Sequence, residues 1–138
     1  MTALRITIGD LHCTARWVDE APWTVDAIRA LLPLRSKLIH VRWSGEGTWI
    51  PFGDSHLDLA PETATSHPAP GELIIYPGGI SECEILLAYG SVDFSSKVGQ
   101  LWGNHFATIV EGREHLREIG RRCLWEGAQD VVIEEVPG

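Results

Sequence analysis

The residues best suited to chemistry sit in short polar interruptions of apolar segments. In Tyr76-Pro-Gly-Gly-Ile-Ser-Glu-Cys-Glu-Ile-Leu-Leu-Ala-Tyr89, two glutamates, Glu82 and Glu84, flank a cysteine in a run that otherwise reads as a buried strand. Strand alternation sets both acids on one face and Cys83, Ile85 and Leu87 on the other. Two readings stand. In one, the acids are hydrated at a sheet rim before Leu86 and Ala88 turn inward. In the other, one of them faces Arg42 across a groove, where the pair binds a polar ligand or the carboxyl, its pKa moved by burial, acts as a base.

Arg42 belongs to Leu38-Ile-His-Val-Arg-Trp43, where alternation puts His40 and Arg42 on one face and makes Ile39, Val41 and Trp43 the natural core face. Asn104-His105 opens an apolar strand just after Trp102-Gly103. An amide, an imidazole and a nearby indole suit a small polar ligand with one flat face. The plainer alternative is local hydrogen bonding at a turn. His105 is the best general-acid or general-base candidate, because an imidazole ordinarily titrates near physiological pH. The candidates are therefore Arg42, Glu84 and His105 for catalysis, and Glu46, Trp49, Tyr76, Glu82 and Asn104 for ligand binding. Of the six tryptophans, Trp17, Trp43 and Trp125 are expected to pack in the core or its caps. Trp23, Trp49 and Trp102 lie beside turns and are candidates for a pocket wall or a subunit contact.

Other chemistries find little support. The histidines form neither H-x-H nor H-E-x-x-H, so no metal is expected. No Gly-x-Ser-x-Gly elbow is present, and Gly78-Gly79 lacks the Lys and Ser of a phosphate loop, so no nucleotide or other cofactor is expected. Cys13, Cys83 and Cys123 are odd in number and far apart, which fits free thiols in a reducing, cytoplasmic setting. A formal charge of −8 without a basic stripe argues against nucleic acid and anionic membranes as partners. No apolar run approaches the ~18 residues of a membrane span.

The elements that would position these residues follow from periodicity. Residues 4–8 and 11–17 alternate around Gly9-Asp10, the composition of a hairpin. Val25, Ile28, Leu31 and Leu32 fall on one side of a helix opened by Pro22 and closed by Pro33. Residues 38–43 and 48–52 flank Ser44-Gly-Glu-Gly47 as a second hairpin. Segments 72–76, 84–89, 104–110 and 130–136 read as further strands, and 113–124 has helical spacing. Three prolines and a glycine in Ala60–Gly71 predict a long loop without regular structure. One mainly β domain over residues 1–138 is expected: a closed eight-stranded antiparallel barrel with two short helices.

The segments Ala15–Val25, Gly71–Tyr76 and Gly103–Gly112 follow the order of elements in cyclophilins. More closely, Leu38–Glu46, Tyr76-Pro-Gly-Gly79 and Trp125–Asp130 resemble small bacterial cyclophilin-like proteins that carry a domain of unknown function. This resemblance implies an eight-stranded barrel capped by helices. It also sets a limit, since cyclophilins carry a catalytic arginine directly after Phe-His, whereas here Arg42 lies two residues beyond His40 and the Gln-Phe-Phe segment of the proline pocket is missing. A shift of one residue turns a side chain to the other face. The expectation is a barrel-side groove that binds or transforms a small polar metabolite. The alternatives are a peptide groove with residual prolyl isomerase character and an oligomeric scaffold joined through exposed tryptophans.

Overall fold

The structure, a computed structural model, describes residues 2–138. Its strands are β1 (Thr2–Ile8), β2 (Leu11–Trp17), β3 (Leu34–His40), β4 (Gly45–Pro51), β5 (Ala64–Thr65), β6 (Glu72–Tyr76), β7 (Glu84–Val92), β8 (Ser95–Ser96), β9 (Gly99–Gln100), β10 (Gly103–Glu111) and β11 (Gln129–Pro137). Helix α1 spans Pro22–Arg29, and α2 spans Leu116–Trp125 after a single 3-10 turn at Arg113–His115. Eight long strands pair antiparallel in the order β2-β1-β11-β3-β4-β7-β6-β10, and β10 pairs back onto β2. The cylinder is closed, as expected.

Alternation builds the interior. Leu4, Ile6 and Ile8 from β1, Cys13, Ala15 and Trp17 from β2, and Ile85 and Leu87 from β7 all enter one apolar cluster. The β1–β2 hairpin turns at Gly9, whose φ of +59° is the left-handed region that glycine adopts without steric cost. Helix α2 buries Leu116, Ile119, Gly120 and Cys123, which repeat at i, i+3, i+4 and i+7 and so form one face.

A second apolar cluster lies outside the barrel wall. Ile74 and Tyr76 of β6 and Leu86 and Ala88 of β7 point outward, and the crossover from Val92 to Leu101 packs over them through Val92, Phe94 and Leu101. Leu86 and Ala88 therefore do not turn into the barrel. Strand β7 is buried on both faces because the crossover covers the second, which is why its sequence is nearly continuous in apolar residues.

Other expectations are corrected too. Strand β3 begins at Leu34, where it pairs with Ile133 of β11, and ends at His40, with only Ile39 and His40 matched to β4. The chain has left the sheet by Val41, so Trp43 is 57% exposed rather than in the core, and Trp125, at the end of α2, is 77% exposed. Helix α1 stops at Arg29, short of Leu31 and Leu32. Within the loop 60–71, Ala64 and Thr65 pair with Asn104 and Gly103.

Candidate functional site

The register of three strands places Glu84. It is opposite Pro51 on β4 and Tyr76 on β6, while the next outward row is Trp49, Leu86, Ile74 and His105. Glu84 thus points away from the barrel lumen, beside the second apolar cluster. Three segments rise around it: Val41–Ser44 between β3 and β4, Ile80–Glu82 before β7, and Ser95–Val98 in the β8–β9 hairpin. They enclose a cleft of about 310 Å³ that Trp49 also lines. Tyr76 holds one wall, its hydroxyl accepting the Ile80 N–H at 3.2 Å. Ser44 holds the other two together, donating to the Ser95 carbonyl at 3.1 Å and accepting the Ser95 N–H at 2.9 Å, while its own carbonyl accepts the Asp93 N–H at 3.0 Å.

Glu84 is 7% exposed. Burial pushes its carboxyl up to about 8, and repulsion from Glu82 adds to the rise; no hydrogen bond pulls it back. Among the described residues no side-chain nitrogen or oxygen is both fully enclosed and unpaired, so the Glu84 carboxyl reaches the cleft space. A carboxyl in that state is largely protonated at neutral pH and can give or take a proton. Arg42 and Lys97 supply positive charge from two other walls, and Trp43, Trp49, Ile80 and Val98 supply apolar surface. The arrangement can hold a small molecule with charged or polar ends and an apolar body.

Arg42, Glu82, Glu84 and Trp49 therefore share one cleft, and the other four candidates lie elsewhere. Glu46 accepts from Arg117 at 2.8 Å and from the Ser91 N–H at 2.9 Å, beside α2. Tyr76 is a support behind the cleft wall, edge-on to Phe94 and Trp102. Asn104 is fully buried, donates to Thr24 Oγ1 and the Ala60 carbonyl, and accepts the Glu62 N–H. It fastens the loop to α1, and Glu62 in turn accepts from the backbone N–H groups of Trp23 and Thr24 at the helix start. Partial burial acts to raise the Glu62 carboxyl, but these bonds and the Thr24 hydroxyl hold it below its usual range. His105 stands in the same outward row as Trp49 with β6 and β7 between them, roughly 14 Å at ordinary strand spacing. Its Nε2 is 2.8 Å from Thr108 Oγ1, and it faces a different depression with Arg16 and Thr63. His40, too, has a structural partner, the Tyr89 hydroxyl at 2.8 Å.

Sequence reasoning passed over Ser44, Ser95, Lys97 and the crossover that carries two of them. Its signal was faint: Phe94 and Leu101 bracket Ser95-Ser96-Lys97-Val98-Gly99-Gln100, the composition of a small hairpin anchored by an apolar residue at each end. Two-residue strands leave no periodicity to read. Among the described residues no cluster of His, Cys, Asp and Glu could hold a metal ion. All three cysteines are free and buried, and burial pushes each thiol up to about 11. Among the described residues no helix is long and apolar enough to cross a membrane.

Residues 4–134 match the family described as protein of unknown function (DUF3830). Two solved structures share the fold. McbB in complex with tryptophan superposes with a TM-score of 0.70 at 18% identity, over 95% of this chain and 44% of McbB, so the chain spans less than half of that protein. The hypothetical protein AF2241 from Archaeoglobus fulgidus superposes with a TM-score of 0.58 at 20% identity, over 96% of this chain and 93% of its own. No match was found among curated proteins.

Proposed function

The chain belongs to the DUF3830 family, and we propose that it binds or transforms a small polar molecule in the outer-face cleft. The observation that carries this reading is the Glu84 carboxyl: 7% exposed, unpaired, and open to a cleft of about 310 Å³. A carboxyl so placed destabilises the fold unless something it can serve enters the cleft. Arg42 and Glu82 are the polar contacts at the mouth, Trp49 is the flat wall, and Glu84 is the acid–base group if a reaction occurs. Glu46, Tyr76, Asn104 and His105 are assigned to structure through the partners named above. The fold shared with McbB, seen with tryptophan bound, supports small aromatic metabolites as the first ligands to try.

Arg42 is exposed, so Arg42→Ala and Trp49→Ala are the informative variants. In a thermal-shift and NMR screen of small polar metabolites, wild type should gain ligands that both variants lose, with the unliganded melting temperature of Arg42→Ala unchanged. Hits that bind both variants as well as wild type would retire the proposal.

The apolar rim of Trp43, Ile80 and Val98 supports a second reading, a peptide groove of cyclophilin type. Clear acceleration of prolyl isomerisation in a model peptide would favour it over the metabolite.

A further inference from the structure

The cleft is lined by acidic and basic side chains that form no ion pair with one another. Glu84 and Glu82 stand on one side, Arg42 and Lys97 on the other two walls. Ion pairs join charged groups elsewhere on the surface, yet among the described residues none involves any of these four. Building on the cleft reading above, we infer that the ligand is a small zwitterion. Its ammonium group sits on the Glu84 carboxylate, its acidic group meets Arg42 and Lys97, and an apolar or aromatic body lies against Trp49.

The chemistry follows from what each half of the cleft lacks. Glu84 is disfavoured as an anion by dehydration and by Glu82, and it has no donor of its own. A primary ammonium supplies up to three donors and the missing opposite charge. A purely anionic ligand would satisfy Arg42 and Lys97 but bring no cation to Glu82 and Glu84, and a neutral one would leave Glu82, Arg42 and Lys97 uncompensated. The indole of Trp49 accepts either an aromatic ring or the edge of the ammonium group. Ser44 couples the loop bearing Arg42 to the crossover bearing Lys97, so both cations approach one anionic group as a unit.

Proton linkage gives a signature that shape alone would not. The surroundings of Glu84 are Glu82 and Cys83 from the preceding loop, Tyr76 across β6, and Arg42 and Lys97 across the cleft; Asp54 and His56 line the next depression with Glu82. The empty protein holds a proton on Glu84 up to about pH 8. An ammonium group displaces that proton to solvent, so affinity should climb with pH through neutrality. The climb ends where Glu84 is already ionised or the ligand amine loses its own proton.

The test uses the full chain and four probes: L-tryptophan, L-leucine, tryptamine with the amine alone, and indole-3-propionate with the acid alone. Calorimetry at pH 7 in two buffers of different ionisation heat counts protons. We expect one of the amino acids to bind about tenfold or more tighter than indole-3-propionate, with close to one proton released. Glu84→Gln should abolish the proton release and weaken both amino acid and tryptamine. The double variant Arg42→Ala, Lys97→Ala should erase the advantage of tryptophan over tryptamine while leaving proton release in place. Indole-3-propionate binding as tightly as tryptophan, or unchanged proton release in Glu84→Gln, would overturn the charge assignment and leave the cleft standing. Absence of any binding at millimolar probe, with cleft amide resonances unmoved, would overturn the zwitterion and count against the cleft as well.

Discussion

Two charged regions of this barrel use the same residue types to opposite ends. At the α2 end, Glu46 meets Arg117 at 2.8 Å, Arg121 bridges Glu118 at 2.8 Å and Glu126 at 2.7 Å, and Arg122 bridges Glu118 at 2.8 Å and Asp10 at 2.6 Å. Hydrogen bonds from Arg121 and Arg122 hold the Glu118 carboxyl down at about 2. In the cleft, Glu82, Glu84, Arg42 and Lys97 make no such pairs among the described residues, and burial drives Glu84 up to about 8. Charges that find partners within the chain are neutralised by one another. Charges left facing one another across a gap are available to a ligand, and the difference lies in the packing around them.

The largest effect should come from removing the buried carboxyl. With an ordinary value of 4.5 and a folded value of about 8, Glu84 binds more protons in the folded chain than in the unfolded one. Its protonated form carries no ionisation penalty below about 4.5, stability falls as pH rises toward 8, and the loss then levels off on the order of 5 kcal/mol. Glu118 runs the other way, its contribution present above 4.5 and lost as pH falls toward 2. Glu84→Gln keeps the shape without the ionisation. Urea unfolding from pH 5 to pH 9 should show it gaining steadily on wild type as pH rises. A constant difference across that window would break the contrast between the regions.

The α2 end should be as intolerant of added volume as the cleft is open to it. A Cβ on Gly120 would lie 2.4 Å from the Tyr89 ring. That ring is fixed by the His40 hydrogen bond and by the Arg117 guanidinium 5.6 Å from its centroid. Overpacking of this kind costs about 1–3 kcal/mol, of which alanine's better helix propensity returns at most about 1. Gly120→Ala should therefore lower the unfolding midpoint without touching ligand affinity. A neutral result would show that the ring can swing aside.

Within the cleft, Ser44→Ala should do the reverse. It strips the Ser95 N–H of its acceptor and uncouples two walls at a local cost near 1 kcal/mol. The main consequence should be weaker binding of whatever ligand the screen returns, read against a melting temperature lowered by only a few degrees.

The barrel was legible because its strands are long and alternate. The segments 4–8, 11–17 and 72–76 declare one buried face each or a continuous apolar run, and turn residues separate them. What misled was the assumption that a strand has only one dry side. Leu86 and Ala88 look inward-facing by hydropathy, yet a crossover with hardly any regular structure covers them from outside. The cleft was half legible for the same reason. Glu82, Glu84, Arg42 and Trp49 stand out as polar or amphipathic residues in apolar surroundings, whereas Lys97 and Ser44 lie in loops whose course only tertiary packing decides. Asn104 and His105 drew attention for their chemistry, but a buried amide that ties a loop to a helix has the same sequence signature as one that binds a ligand.

The smallest effect is expected where the contacts look strongest. Glu46 and Arg117 are well aligned at 2.8 Å, but both side chains are substantially exposed, at 42% and 69%. Water competes for both charges, and holding two long side chains in one geometry costs rotamer freedom. Glu46→Gln should shift the melting temperature by little, with a salt dependence close to that of wild type, and leave ligand affinity and proton release alone. The same substitution at position 84 changes stability most of all. If Glu46→Gln weakened ligand binding, the two regions would be coupled through β4, which carries both Glu46 and Trp49, and the division between a structural end and a ligand-facing cleft would have to be redrawn along that strand.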